Sequence, residues 1–433
     1  MYFRQWACFA LFILFASSAS ALDFIVNNTQ DVPNEFPGNG VCNAVGGAGN
    51  TCTLRAAIME ANASPGPHTI FLPIGTYNLT ITGTGEDQAA TGDLDILRNI
   101  TIINGTNNPP LIWGNFNDRV FDVHDGARLR LVNVAIAAGQ ANVADTTRGG
   151  AIQVRANAAL DLERVSVASS IANIGGAIYS DGTVSIRDSL FFNNVITDTH
   201  VQPELANGAA ILNRGQLSIQ SSTFRNNGVI PGGDGFLTGR YAVHSRRGFV
   251  ADPEVLVVNS TFFDNTNGIF SDGVPTVVAN STLVRNNQRG IRFLPFVDAG
   301  TAEQLLISHT VLFGHTGDCN GIPDDQPQFN VRGNRNASSD TSCGFTGAAD
   351  FENIAWPFLG DADFYGGPTE TFMPRVGGIL IDPPFSLCPL ANGVDQRGQG
   401  RPVGFCEIGA VEFNPDSDPV PTDQIFRDRF QQP

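Results

Sequence analysis

Apolar and polar positions alternate in a short phrase that recurs through the middle of the chain. Seven apolar anchors, Ile136, Val167, Phe191, Phe224, Phe262, Leu283 and Leu312, are each preceded at five residues by another apolar side chain: Leu131, Leu162, Ile186, Ile219, Val257, Val278 and Ile307. Two positions earlier stand Leu129, Leu160, Val184, Leu217, Val255, Thr276 and Leu305, so six of the seven units read apolar-x-apolar, the alternation of a half-buried strand. A second phrase is locked to the first. Gly175-Gly176-Ala177-Ile178 and Gly208-Ala209-Ala210-Ile211 are followed, thirteen residues after the isoleucine, by Phe191-Phe192-Asn193-Asn194 and Phe224-Arg225-Asn226-Asn227; Asn267-Gly268-Ile269-Phe270 keeps the same spacing to Leu283.

Successive anchors lie 31, 24, 33, 38, 21 and 29 residues apart, so about 21 residues make the bare unit and the excess is loop. Strands at the triplet, at the anchor and at the Gly-Gly-Ala-Ile step give three per turn. This predicts an all-β solenoid, a parallel β-helix; an antiparallel sandwich of many short strands is the alternative. Equivalent positions of neighbouring turns would stack about 4.8 Å apart. Phe191, Phe224 and Phe262 would then form an aromatic column, and the asparagines after them a ladder at a bend. The glycine pairs would take the tight corner.

The ends break the pattern. Leu54, Ala57, Ile58 and Ala61 fall on one helical face, opened by Thr53 and stopped by Ser64-Pro65-Gly66-Pro67, which predicts a short N-terminal helix capping the first coil. Residues 1–21, with Arg4, an apolar run and Ala19-Ser20-Ala21, have the form of a secretory signal peptide. The expected order is then a capping module over 22–96, coils over 97–316, a cysteine-containing C-terminal segment over 317–412 and a Pro/Asp linker and tail over 413–433.

Export changes how the composition is read. Removing the leader takes away one arginine, so the formal charge moves from −17 to −18, and six cysteines remain. Their spacing suggests Cys42 with Cys52, Cys319 with Cys343 and Cys388 with Cys406, although fifteen pairings are open from sequence alone. The chain has no lysine, which excludes Schiff-base and P-loop chemistry, and its acidity argues against nucleic-acid binding. No later stretch is apolar for long enough to span a bilayer.

Cys52-Thr53-Leu54-Arg55-Ala56-Ala57-Ile58, His68-Thr69-Ile70-Phe71-Leu72-Pro73-Ile74-Gly75-Thr76-Tyr77 and Gly92-Asp93-Leu94-Asp95-Ile96 resemble the N-terminal module of CSLREA-type bacterial surface proteins, departing at Thr53 and Ala56. The resemblance implies a right-handed, pectin-lyase-like β-helix. The GGAI and FxxN units are also similar to repeats of polymorphic outer-membrane proteins. Gly366 to Thr371, Asp395-Gln396-Arg397-Gly398 and Cys406 to Glu412 resemble the closing segment of choice-of-anchor β-helix proteins, with Glu407 where that family usually has Asp. Gln424 to Phe430 resembles a terminus of some exported proteobacterial proteins.

Candidate chemistry is sparse. Arg130, Asp161, Glu163 and Arg187 occupy outward triplet positions and would form an alternating-charge patch. β-Helix lyases use an outward carboxylate cluster with Ca²⁺ and an arginine, whereas ordinary cross-strand ion pairs explain the same pattern without function. Glu86, Asp87, Asp93 and Asp95 form an acidic loop that could take Ca²⁺; otherwise no cofactor is expected. Asp324-Asp325 lacks the partners of a hydrolase pair, and the histidines show no ligand spacing. In late rungs the outward positions become Leu256, Val277 and Leu306, a stripe expected to be buried under residues 350–412, with a docked partner as the alternative cover, so that Leu306→Asp would cost about 2 kcal/mol or more. The expected function is that of a monomeric, exported cell-surface or envelope protein, non-enzymatic, in adhesion or carbohydrate contact. A carbohydrate-active lyase or glycoside hydrolase is the alternative.

Overall fold

The computed structural model describes residues 21–47, 50–141, 148–197, 208–228, 240–248, 254–294, 305–320, 331–332, 335–347, 349–383, 393–401 and 406–418. The leader, Cys388, Asp324-Asp325 and the Gln424 to Phe430 tail lie outside them. Three parallel sheets run the length of the solenoid. Sheet I carries the triplets, pairing in register from Asp23–Ile25 through Thr183–Arg187 to Val331–Arg332. Sheet II carries the anchors, from Thr76–Asn78 through Leu190–Phe192 to Ala337–Ser338. Sheet III carries the Gly-Gly-Ala-Ile strands, from Leu94–Ile96 through Ile178–Ser180 to Gly317–Asn320. The chain is a parallel β-helix. Every triplet named from the spacing pairs with the next triplet, for instance Asp161 with Ser185 and Leu256 with Val277.

The interior stacks as the pattern requires. Phe191, Phe224 and Phe262 are fully buried, with successive ring centroids 4.7 Å apart and planes within 5° of parallel. The second asparagine of each pair forms the ladder. Asn194 donates to Asn227 Oδ1 at 3.0 Å, Asn227 to Asn265 at 2.9 Å and Asn265 to Asn286 at 2.8 Å. Each amide also donates to a backbone carbonyl, such as Phe191 O from Asn227 at 2.9 Å, so no buried donor in this row is wasted.

The corners depart from expectation. Glycine does turn the step into sheet III, with Gly175 at φ +64° and no room for a Cβ at Gly176, which would meet Ala209 O at 2.1 Å. The two corners around sheet II are instead made by residues with side chains: Asp188, Ser221, Asn259 and Asn280 on entry and Asn193, Asn226 and Asp264 on exit all have positive φ. Asn and Asp tolerate this region because their short polar side chains bond locally. A second ladder runs along the entry corner, unannounced by the anchor pattern: Ser189, Ser222, Ser260 and Ser281 each accept from the backbone N–H one rung earlier.

Helix α1, Leu54–Ala63, begins at Thr53, whose hydroxyl accepts from Ala56 N–H, and packs Leu54, Ala57, Ile58 and Ala61 into the same core as the first coils. Its other side is buried too. Arg55 bonds Asp31 and the carbonyls of Ala89, Gly92 and Asp93, and Glu60 accepts from Asn34, Gly38 and Gly40.

Disulfides join Cys42 to Cys52 and Cys319 to Cys343; Cys406 is also disulfide-bonded, while its expected partner Cys388 is outside the described residues. Loops of 10 and 24 residues correspond to about 3 kcal/mol each in the chain-entropy model. Reduction is therefore expected to raise hydrogen exchange near both ends before the Phe224 rung; uniform loss of protection would contradict it.

The C-terminal segment folds back onto the solenoid, but over a different face from the one expected. Strands Leu359–Asp363 and Thr371–Pro374 pair antiparallel, and the segment lies on the outward side of sheet II. Thr371 and Gln396 bond Thr261, Gln396 also bonds Thr223, and Ala410 N–H donates to Thr282. Phe372 packs edge-on to Phe263, in a cluster with Val284, Phe313, Leu359, Leu380 and Ile408. Leu256, Val277 and Leu306 on sheet I are only half-buried and belong to none of these contacts. The residue after each anchor (Phe263, Val284, Phe313) was the signal for this docking. Leu306→Asp is accordingly expected to cost less than the 2 kcal/mol a buried site implies.

Candidate functional site

The outward face of each sheet has a different character. On sheet I the expected patch forms, with Glu163 as its hub: Arg130 and Arg164 each donate to it at 2.7 Å and Arg187 lies at 3.1 Å. Asp161 pairs with Arg128 rather than Arg130. Burial alone would raise the Glu163 carboxyl, but the three guanidiniums hold it below its ordinary value. These groups neutralise one another across neighbouring strands, and each exposed pair contributes only about 0.2–1 kcal/mol.

Sheet II is covered. On sheet III the outward column reads Asp95, Asp122, Gln153, Tyr179, Leu212, His244, Phe270, Arg292 in register, and all of it but Gln153 and Arg292 is buried. It begins acidic and becomes aromatic and basic. At the acidic end, Asp93, Asp95 and Asp122 bring carboxylate oxygens within 4.8 Å of one another, and Asp87, Asp95 and His124 form a second such group. Arg155 bonds Asp122 through Nε and Nη2 at 3.0 Å and reaches Asp87, while Arg119 lies 2.9 Å from Asp93. Burial pushes Asp93 well above the usual carboxylate range against Arg119, and raises Asp95 against its bonds from His124 and Ala89 N–H. Glu86 is not part of the cluster: it accepts from Gln88, Ala90 and Thr91 N–H and closes its own turn. Three converging carboxylates already met by two arginines fall short of the six to eight oxygens of a Ca²⁺ cage.

Further along, Arg148 lies over the Tyr179 ring at 4.9 Å, and Arg214 donates to Tyr179 Oη at 2.9 Å while sitting 3.3 Å from Asp181. His244 stacks on Phe270 with centroids 4.4 Å apart, and Arg292 covers the same ring at 4.7 Å. His244 is fully buried, and neither ring nitrogen has a hydrogen-bond partner among the described residues. Burial, with Arg246 and Arg292 nearby, pulls it down to about 3. The unfolded chain, at the ordinary 6.5, then binds the proton that the folded chain refuses, so this contribution is present above pH 6.5 and is lost as pH falls toward 3. His244→Phe should lose this dependence. Its stability relative to the parent should rise by up to about 1.4 kcal/mol per pH unit below 6.5, read from denaturant midpoints; parallel pH profiles would refute the assignment.

The triplet and anchor strands drew attention because their apolar pattern repeats, whereas the outward residue of this face changes type from rung to rung. Its signal was the residue after each Ile of the glycine step, Tyr179, Leu212 and Phe270.

Neither a protein-family model nor a curated protein sequence matches the chain. Among solved structures, the crystal structure of pectate lyase Pel9A is similar over 92% of this chain and 97% of that one, with 12% sequence identity and a TM-score of 0.49. A likeness at that level carries nothing about activity. Among the described residues no helix is long and apolar enough to cross a membrane. What is established from the strand register itself is a parallel β-helix with one outward face covered by its own C-terminal segment.

Proposed function

We propose that this protein is an exported, non-enzymatic β-helix of the bacterial surface or envelope that contacts carbohydrate through the outward face of sheet III. The observation that carries the reading is the pair of guanidiniums that cover buried rings on that face, the exposed Arg148 over Tyr179 and the half-buried Arg292 over Phe270, so that the arginines and not the ring faces meet a ligand. Convergent polar groups held on a fixed sheet suit sugar recognition. The CSLREA-like and choice-of-anchor-like motifs support the location. Catalysis is disfavoured because the acids on this face are occupied, Asp122 by Arg155 and Asp181 by Arg214.

One observation favours the carbohydrate-active enzyme instead: Asp95, 2.8 Å from His124, and its neighbour Asp93 are both raised, as general acids need to be. A glycan array on the purified protein, followed by a turnover screen on every ligand retained, separates the two. Binding without new reducing ends or unsaturated products is the expected result. Turnover abolished by Asp95→Asn would replace the binding reading with the enzymatic one.

A further inference from the structure

The outward face of sheet I is divided into zones along the solenoid axis. Its first three strands present Ile25, Phe71 and Ile103 in one register row, with Ile25 67% and Phe71 42% exposed. The fourth to sixth strands carry the charges around Glu163: Arg130 on the fourth, Asp161 and Glu163 on the fifth and Arg187 on the sixth. The seventh presents the uncharged Ser218 and Gln220, and the eighth to tenth present Leu256, Val277 and Leu306, half-buried and in register. Apolar ends around a charged centre make a sequence of zones that reads the same way from either end. Apolar patches on a rigid sheet mark a contact surface, and this order says which partner fits.

We infer that the outward face of sheet I is the interface of a two-fold dimer of this chain, with the two solenoids side by side and antiparallel. A two-fold axis parallel to the strands, between the fifth and sixth of them, lays strand one on strand ten of the second copy, two on nine and three on eight. Each apolar end then covers the opposite apolar end. In the centre, strand five lies on strand six, so Glu163 faces Arg187 of the second copy, and symmetry makes that contact twice. Arg130 lies opposite Ser218 and meets no like charge. The alternative two-fold, along the solenoid axis, would set Glu163 on Glu163 and Arg187 on Arg187, which repel. Ten strands at about 4.8 Å, with outward rows spanning about 13 Å, give a footprint of roughly 600 Å² before side-chain relief, close to the ~800 Å² of accessible surface each partner contributes to a stable interface. The dimer replaces the monomeric state expected from the sequence, and it uses a different face from the proposed carbohydrate contact.

The test is sedimentation velocity of the full chain over a concentration series, with Glu163→Arg and Arg187→Glu run separately and as an equimolar mixture. The parent is expected to dimerise. Each variant alone turns both central contacts repulsive and should associate about ten-fold or more weakly. The mixture should recover, because every mixed contact again sets a cation against an acid, and recovery also shows that both variants fold. Register is read by Thr69→Cys/Val277→Cys, on strands two and nine. These positions lie about 34 Å apart within one chain, too far for an internal disulfide, but opposite each other across the two-fold. A covalent dimer on a non-reducing gel is expected from the double variant and not from Thr69→Cys alone. A parent that stays monomeric at every concentration overturns the proposal and leaves the face to a partner of another kind. Equal association of the parent and both charge variants overturns it, as does a dimer that the cysteine pair does not join.

Discussion

Replacing Phe224 with alanine is expected to cost about 3–5 kcal/mol, the largest single effect of an apolar truncation in this chain. Phe224 is the middle ring of the column, in contact with Phe191 on one side and Phe262 on the other, and all three are sealed from solvent. Its neighbours cannot move in to fill the space. Each is fixed by its own strand pairing, Phe191 with Phe224 and Phe224 with Phe262 in register on sheet II, so the cavity keeps most of its volume. The measurement is the urea midpoint of the parent and the variant, with hydrogen exchange resolved by rung. Because each rung contacts only its neighbours, protection should fall most at 190–225 and 261–263 and least near α1. A loss below about 1 kcal/mol would mean that the coil relaxes around the gap.

The second large effect belongs to the C-terminal segment. Arg401 is buried on the seam between that segment and the solenoid. It bonds the Glu412 carboxylate, reaches Asn259 Oδ1 at 3.0 Å and Gly409 O at 3.2 Å. Burial pulls its pKa down to about 10, which leaves it charged at neutral pH. Arg401→Met removes the cation but leaves the Glu412 carboxylate buried, and a lone buried charge costs about 3–5 kcal/mol. The segment should therefore release from sheet II before the coils melt, exposing Phe263, Val284 and Phe313 to limited proteolysis and dye binding. Arg401→Met/Glu412→Leu is the control. Replacing both partners by apolar groups removes the stranded charge, and much of the stability should return. If the double variant is no better than the single one, the hydrogen bonds to Asn259 and Gly409 hold the seam rather than the charge pair.

Local repetition carried most of the fold. Coil register depends on which side chains can stack on their equivalents one turn away, and that information sits within each unit of about 21 residues. The triplets, the phenylalanine column, the asparagine ladder and α1 with its Thr53 cap could all be named from spacing. So could Cys42 with Cys52 and Cys319 with Cys343, because short loops bring those pairs together. Even the ladder of Ser189, Ser222, Ser260 and Ser281 was within reach, two residues before each anchor.

What the repeat could not decide was which outward face meets what. The covering of sheet II needed Gln396, 135 residues from Thr261, and Arg401, 142 residues from Asn259. No local period encodes such a meeting; it follows from the path of the C-terminal segment. The same holds for the candidate site. Asp93, Asp122 and Arg155 are ordinary in sequence and become a cluster, its carboxylates buried, only when three turns bring them to one end of sheet III, with Arg148, Tyr179, His244 and Phe270 further along it. Stacking energy is local and repeats, so the sequence by itself determined the coil. Burial and charge balance on an outward face depend on distant chain, so only the tertiary structure decided where the chemistry lies.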